Sequence, residues 1–118
     1  MLDQFSRNMF RNSPLSFAYD ALALALAQEA ILVGADKSLN QAERSFLYMP
    51  FMHSESLKIH EIATRLFRDN GNQSSLDFEL KHKAIIERFG HYPHRNSILG
   101  RESTVEEIEF LKQPGSGF

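Results

Sequence analysis

From Phe89 to Arg101 the chain gathers two histidines, two arginines and an asparagine around Pro93. Loops carry binding and catalytic groups more often than element interiors do, so this run is the first place to look for a site. Arg95 and Arg101 offer guanidinium forks that match a carboxylate or phosphate, and His94 and Asn96 add groups that fix orientation. The structural alternative has the asparagine closing loop backbone groups while the arginines clamp helix carbonyls or acidic side chains. His91 and His94 stand at a His-x-x-His spacing, but zinc takes three or four ligands, each histidine backed by a partner of its own. No metal or other cofactor is assigned to them.

Two further polar blocks join this one. His53 and Glu55 flank Ser54 just after Pro50; His53 can act as a general base with Glu55 as its orienting acid. Ser54 is equally placed to cap the next helix, with Glu55 in that helix's first turn. His82, the third catalytic candidate, falls on an apolar stripe with Phe78, Ile85 and Phe89. That is the usual position of a neutral core histidine bonded to a carbonyl or carboxylate. Near the start, Asp3 and Arg7 stand four apart, and Gln4 and Asn8 repeat the spacing. Asp3 can orient Arg7 toward a ligand; the alternative is a solvated helix face with one weak ion pair. His60-Glu61 opens like a zinc-protease helix, but Thr64 stands where the second histidine belongs. A serine-nucleophile elbow, a phosphate loop and a dinucleotide fingerprint are all absent.

The 118 residues fit one small helical domain spanning 1–118, and a net charge of −2 recommends neither nucleic acid nor an acidic membrane as partner. Without cysteine there is no disulfide, thiol catalysis or cysteine-bound metal. Charged Asp3, Arg7 and Arg11 break any signal-peptide pattern, and Ala21 to Val33 is too short to span a bilayer. A cytoplasmic location is expected.

The elements that must carry these groups are helical. Leu2, Phe5 and Met9 recur at helical spacing, and Ser13-Pro14 reads as an N-cap with proline in the first turn. Asp20 then caps a stretch from Ala21 to Val33 that stops at Gly34, its alanines allowing a neighbour to approach closely. Asn40 to Glu43 resembles a capping box, opening a helix to about Met52 that Pro50 should kink. Ile59, Ile62, Ala63, Leu66 and Phe67 form the cleanest stripe, closed by Asn70-Gly71. Phe78 to Phe89 form another, closed by Gly90. Ser103 to Glu106 reads as a capping box for a last short helix that ends before Pro114-Gly115. The fold class is all-α: antiparallel helical hairpins joined by short loops.

The blocks Leu2-Asp3-Gln4-Phe5 with Arg7-Asn8, Leu47-Tyr48 through Pro50 to Glu55, and Arg88-Phe89-Gly90 with Pro93 to Asn96 and Leu99-Gly100-Arg101 resemble an uncharacterised bacterial family, domain of unknown function 924. The resemblance implies a tetratricopeptide-like right-handed superhelix of about five to six helices here, and no established activity. It covers this whole chain but about the C-terminal two-thirds of a typical member, so the chain looks N-terminally truncated. The family more often has proline at Ser6, arginine at His91 and glutamine at His60.

The reading that follows is a helical scaffold whose polar groove binds an anionic small molecule or an acidic or C-terminal peptide segment. Its ligand-binding set is Asp3, Arg7, Asn8, His94, Arg95, Asn96 and Arg101, and a homodimer through the N-terminal apolar face is its expected assembly. The competing reading is a hydrolase-like or metal-assisted enzyme using His53 and Glu55 with Arg7 and Arg95.

Overall fold

A computed structural model describes residues 20–117. Asp3, Arg7, Asn8, the opening apolar stripe and the Ser13-Pro14 cap lie outside the described residues. All regular structure among the described residues is helical: α1 Asp20–Leu32, α2 Gln41–Met52, α3 Leu57–Asn70, α4 Gln73–Phe89, α5 Asn96–Leu99 and α6 Val105–Leu111. Short 3-10 turns at Ala35–Ser38 and Pro93–Arg95 complete it.

α1 turns its small side inward. Ala23 and Ala27, one turn apart, are buried, whereas Leu22 and Leu26 are about half exposed. The alanines let α1 lie close against α2, as their spacing predicts. α2 opens with the expected capping box: Asn40 Oδ1 accepts from the Glu43 N–H at 2.8 Å, and Glu43 Oε1 accepts from the Asn40 N–H at 3.0 Å. Pro50 stays inside the helix, in its last turn.

α2, α3 and α4 pack in sequence order through short connections, the arrangement of helical hairpins. Buried Asn70 ties the start of α2 to the end of α3. Its Nδ2 donates to the Gln41 carbonyl and to Ser45 Oγ, while its Oδ1 accepts from Arg44 Nε at 2.7 Å. Every polar atom of this side chain is satisfied, which is why it tolerates burial.

Two caps differ from the sequence reading by a residue or two. Ser56, not Ser54, caps α3, its Oγ accepting from the Ile59 N–H. Thr104, not Ser103, caps α6. Ser103 Oγ accepts instead from Asn96 Nδ2, and Ser54 Oγ accepts from the Ser56 N–H. Glu55 lies before the helix rather than in its first turn.

The buried residues form two clusters. Ala27, Tyr48, Phe51, Met52, Ala63 and Phe67 make an apolar core across α1, α2 and α3. Ile85, Ile86 and Tyr92 make a second, smaller one, joined by Phe89 and Phe110.

Candidate functional site

A groove of about 480 Å³ runs between α2 and α4, with Phe67 of α3 among its lining residues. Phe46, Met49 and Met52 line it from α2 and Phe78 from α4. His53, His82 and Arg95 supply its polar groups. His53 and Arg95 also line a neighbouring cleft of about 340 Å³ beside Glu55 and Asp20. The sequence is legible here: helical spacing puts Phe46 and Met49 on one face of α2, and Phe78 and His82 on one face of α4.

Tyr92 is the hub behind this polar end. It is 0% exposed, and its hydroxyl donates to the Met52 carbonyl at 2.6 Å. The Tyr92 oxygen also lies 2.8 Å from His60 Nε2, which reaches the Ser54 carbonyl at 2.6 Å. A carbonyl only accepts, so Nε2 carries a hydrogen. On the other side of the ring, Nδ1 sits 2.9 and 3.1 Å from the two oxygens of Glu79. One proton is therefore shared along the Nδ1–Glu79 axis, and the pair as a whole stays neutral. Both side chains are 0% exposed, which explains why the acid is paired. Burial pushes the Glu79 carboxyl upward, and the bond to His60 only partly opposes it.

Arg95 is buried, with its guanidinium carbon 4.8 Å from the Tyr92 ring centroid. Its Nη2 donates to the His53 carbonyl at 2.9 Å, and Asp20 and Glu55 carboxylate oxygens each lie at 3.9 Å. His82 donates Nδ1–H to the Phe78 carbonyl at 2.6 Å, one turn back on α4. Burial lowers its pKa to about 4, helped by the nearby imidazoles of His53, His60 and His94, so it is neutral at pH 7. The core-histidine reading thus holds for its protonation, although its side chain also lines the groove.

Glu55 belongs to a separate clamp. Arg101 Nη1 and Nη2 donate to its two oxygens at 3.1 Å, and the Tyr92 N–H donates to Oε2 at 2.6 Å. Burial opposes ionisation of Glu55, but the Arg101 and Tyr92 bonds, with the charges of Arg95 and Arg101, hold the carboxyl below the usual range. Arg101 Nε then donates to Asn96 Oδ1 at 3.0 Å. Buried Asn96 turns its Nδ2 to Ser103 Oγ and to a Glu107 oxygen in a short contact. His91 Nε2 stands 3.3 Å from the other Glu107 oxygen. Burial works against the Glu107 carboxylate, yet His91 and Asn96 lower its pKa on balance.

The predicted residues therefore divide. His53, His82 and Arg95 come together at the groove. Glu55, Asn96 and Arg101 form the clamp that folds the 90–104 segment, and His94 packs its ring 6.0 Å from that of Tyr92. Both oxygens of Glu55, the expected orienting acid of His53, are bound by Arg101 and Tyr92. Glu79, Tyr92 and Glu107 escaped the sequence reading, and His60 entered it only as an incomplete zinc-protease motif. A signal for two of them existed: His60 shares a helical strip with Ala63, Thr64 and Phe67, and Glu79 shares one with His82 and Ile86. Polar residues on a buried strip call for each other. Among the described residues, no three histidine or acidic side chains converge as a metal ligand set.

This architecture is that of an all-α family, and the chain belongs to it: it matches the family described as bacterial protein of unknown function (DUF924) over residues 1–115. It is also similar to a solved structure, the protein of unknown function ATU0120 from Agrobacterium tumefaciens. The likeness has a TM-score of 0.89 and 42% identity, over 94% of this chain and 62% of that one. The chain thus spans less than two-thirds of that protein's length. No curated protein matches it. Among the described residues, no helix is long and apolar enough to cross a membrane.

Proposed function

We propose that this chain is a cytoplasmic binding module, a tetratricopeptide-like stack of helical hairpins in one domain. Its α2–α4 groove takes an anion with an apolar body. The observation that carries the reading is the composition of the groove: an apolar wall of Phe46, Met49, Phe67 and Phe78 with the guanidinium of Arg95 among its polar groups. Its volume matches the range of small-molecule sites, which pair apolar walls with a few placed polar groups. A carboxylate meets Arg95, and its hydrocarbon part removes the wall from water. An anionic small molecule and the C-terminal residue of a peptide both present that chemistry. The base-and-orienter enzyme reading draws no support from a Glu55 whose two oxygens are held by Arg101 and Tyr92.

Decanoate titrated calorimetrically into the protein is the test, with decanol as the uncharged control. Decanoate is expected to bind and decanol to bind at least tenfold more weakly. Phe78→Asp, at a side chain 54% exposed, should abolish decanoate binding without changing the melting temperature by more than a few degrees. Equal binding of acid and alcohol, or an unaffected Phe78→Asp variant, would sink the reading.

A further inference from the structure

The groove between α2 and α4 changes character along its length. α2 lines it with Ala42 and Ser45, then Phe46 and Met49, then His53. α4 repeats that order with Ser75, Phe78 and His82. The two helices run parallel. Asn70, just ahead of α4, bonds to Gln41 and Ser45 at the start of α2. At the other end Tyr92 sets its ring 5.8 Å from that of His82 and donates its hydroxyl to the Met52 carbonyl. Small side chains therefore share one end, aromatic and thioether groups the middle, and the imidazoles with the Arg95 guanidinium the far end. We propose that the occupant is a straight-chain carboxylic acid and that Ala42 and Ser75 set the chain length it can have, an assignment that rests on the groove reading.

The middle of the groove selects a hydrocarbon chain over a peptide. Phe46, Met49, Phe67 and Phe78 carry no N–H or O–H in their side chains. An extended peptide brings an N–H and a carbonyl with nearly every residue, and each one left without a partner against such a wall weakens binding roughly tenfold. A polymethylene chain has no such groups. Each methylene it buries strengthens binding about fourfold.

The length follows from helix geometry. Ala42 and His53 both lie along α2, and the rise between them comes to about 16 Å at ~1.5 Å per residue. An extended chain with carbon–carbon bonds of about 1.52 Å advances about 1.25 Å per carbon, so about twelve carbons fill the groove. Carbons past Ala42 return to water and add nothing. Ser45 shares this end, but its hydroxyl is held by Asn70, which leaves Ala42 and Ser75 as the side chains that can be enlarged. One turn of α2, about 5.4 Å, separates Ala42 from Phe46, so a large side chain at position 42 removes room for about four carbons.

The test is calorimetric titration of octanoate, decanoate, dodecanoate and tetradecanoate into the full chain and into Ala42→Phe. In the wild type, affinity is expected to rise on the order of a hundredfold from octanoate to dodecanoate and then to level off. A rise below tenfold, or tetradecanoate binding more than threefold tighter than dodecanoate, overturns the assignment. In Ala42→Phe the ratio of dodecanoate to octanoate affinity should fall at least tenfold; a smaller fall also overturns it. Ala42 is exposed and the α2 cap uses Asn40 and Glu43, so the helix start stays intact. Ser75→Leu narrows the same end from α4 and repeats the measurement, with the same expected fall, should that variant not fold. An acetylated tetraalanyl-leucine peptide should bind at least tenfold more weakly than decanoate. Peptide binding closer than that gives the groove to a C-terminal peptide and overturns the acid. Decanoate that fails to bind sinks the groove reading and this one together, whereas decanoate that binds without the levelling or the shift sinks the chain-length assignment alone.

Discussion

The two buried clusters of this protein hold together by different physics. Around Phe51, Ala63 and Phe67 the contacts are apolar, with Tyr48 and Phe67 rings meeting edge to face at 5.9 Å. Around Tyr92 the interior is crowded with His60, Glu79, Asn96 and Glu107, all buried and all hydrogen-bonded. Apolar burial is non-directional, so the first cluster tolerates small shifts and contributes stability at any pH. Hydrogen bonds between buried polar groups are directional, and losing one partner leaves the other stranded at high cost. The second cluster therefore fixes where the 53–55 bend and the 90–104 segment sit. It places Arg95 and His53 at the groove.

This contrast can be broken, most forcefully at Phe67. Phe67→Ala should cost roughly 3–5 kcal/mol in urea denaturation, equally at pH 7 and pH 5. A loss that changes with pH would show that the apolar cluster is electrostatically coupled to the polar one. Glu79→Ala comes next, at about 3 kcal/mol, since it strands His60 in the interior. Glu79→Gln should recover most of that loss, because its amide N–H can donate to His60 Nδ1 while Nε2–H stays on Ser54. Equal losses for the alanine and glutamine variants would mean that packing, not the proton-bearing bond, sets the cost.

Arg101→Ala should cost about 2 kcal/mol by releasing Glu55 and Asn96 together. It carries a pH signature as well. Glu55 has a depressed folded pKa, so its stabilising contribution is present above 4.5 and is lost as the pH falls through the folded value. Removing Arg101 should flatten that acid limb; an unchanged limb would assign it to another carboxylate. The smallest effect belongs to Asn40→Ala, about 1 kcal/mol from the lost capping box. Amide exchange should accelerate at the start of α2 and stay unchanged around Tyr92, which would confirm that the cap serves the apolar half alone.

Much of the helical plan is legible from local rules. Gly34, Gly71 and Gly90 each end a helix with positive φ, where a side chain would be strained, and each stands directly after an apolar stripe. Asn40, directly before the helix, and Glu43, its third residue, announce α2 by a pattern that needs no tertiary information. The misplaced caps at Ser54 and Ser103 have a common cause. Serine and threonine follow within two residues at both sites, and local propensity ranks them nearly equally. The tie is broken by partners outside the helix itself, Asn96 for Ser103 and the Tyr92–Arg101 pair for the bend that Ser54 shares with Glu55.

Composition and spacing by themselves determined the all-α class, the helix order, the glycine stops and the gathering of polar residues in the 53–55 and 90–101 segments. They also singled out His53, His82 and Arg95, which do meet at one groove. Only the tertiary structure decided which polar residue pairs with which. Glu55 and Arg101 are 46 residues apart and His60 and Glu79 are 19 apart, separations at which no local periodicity can choose a partner. A helix surface exposes its neighbours at three and four residues, so sequence spacing sets faces. Partners across faces are selected when α2, α3, α4 and the 90–104 segment close on one another, and a buried charge must find its counterpart.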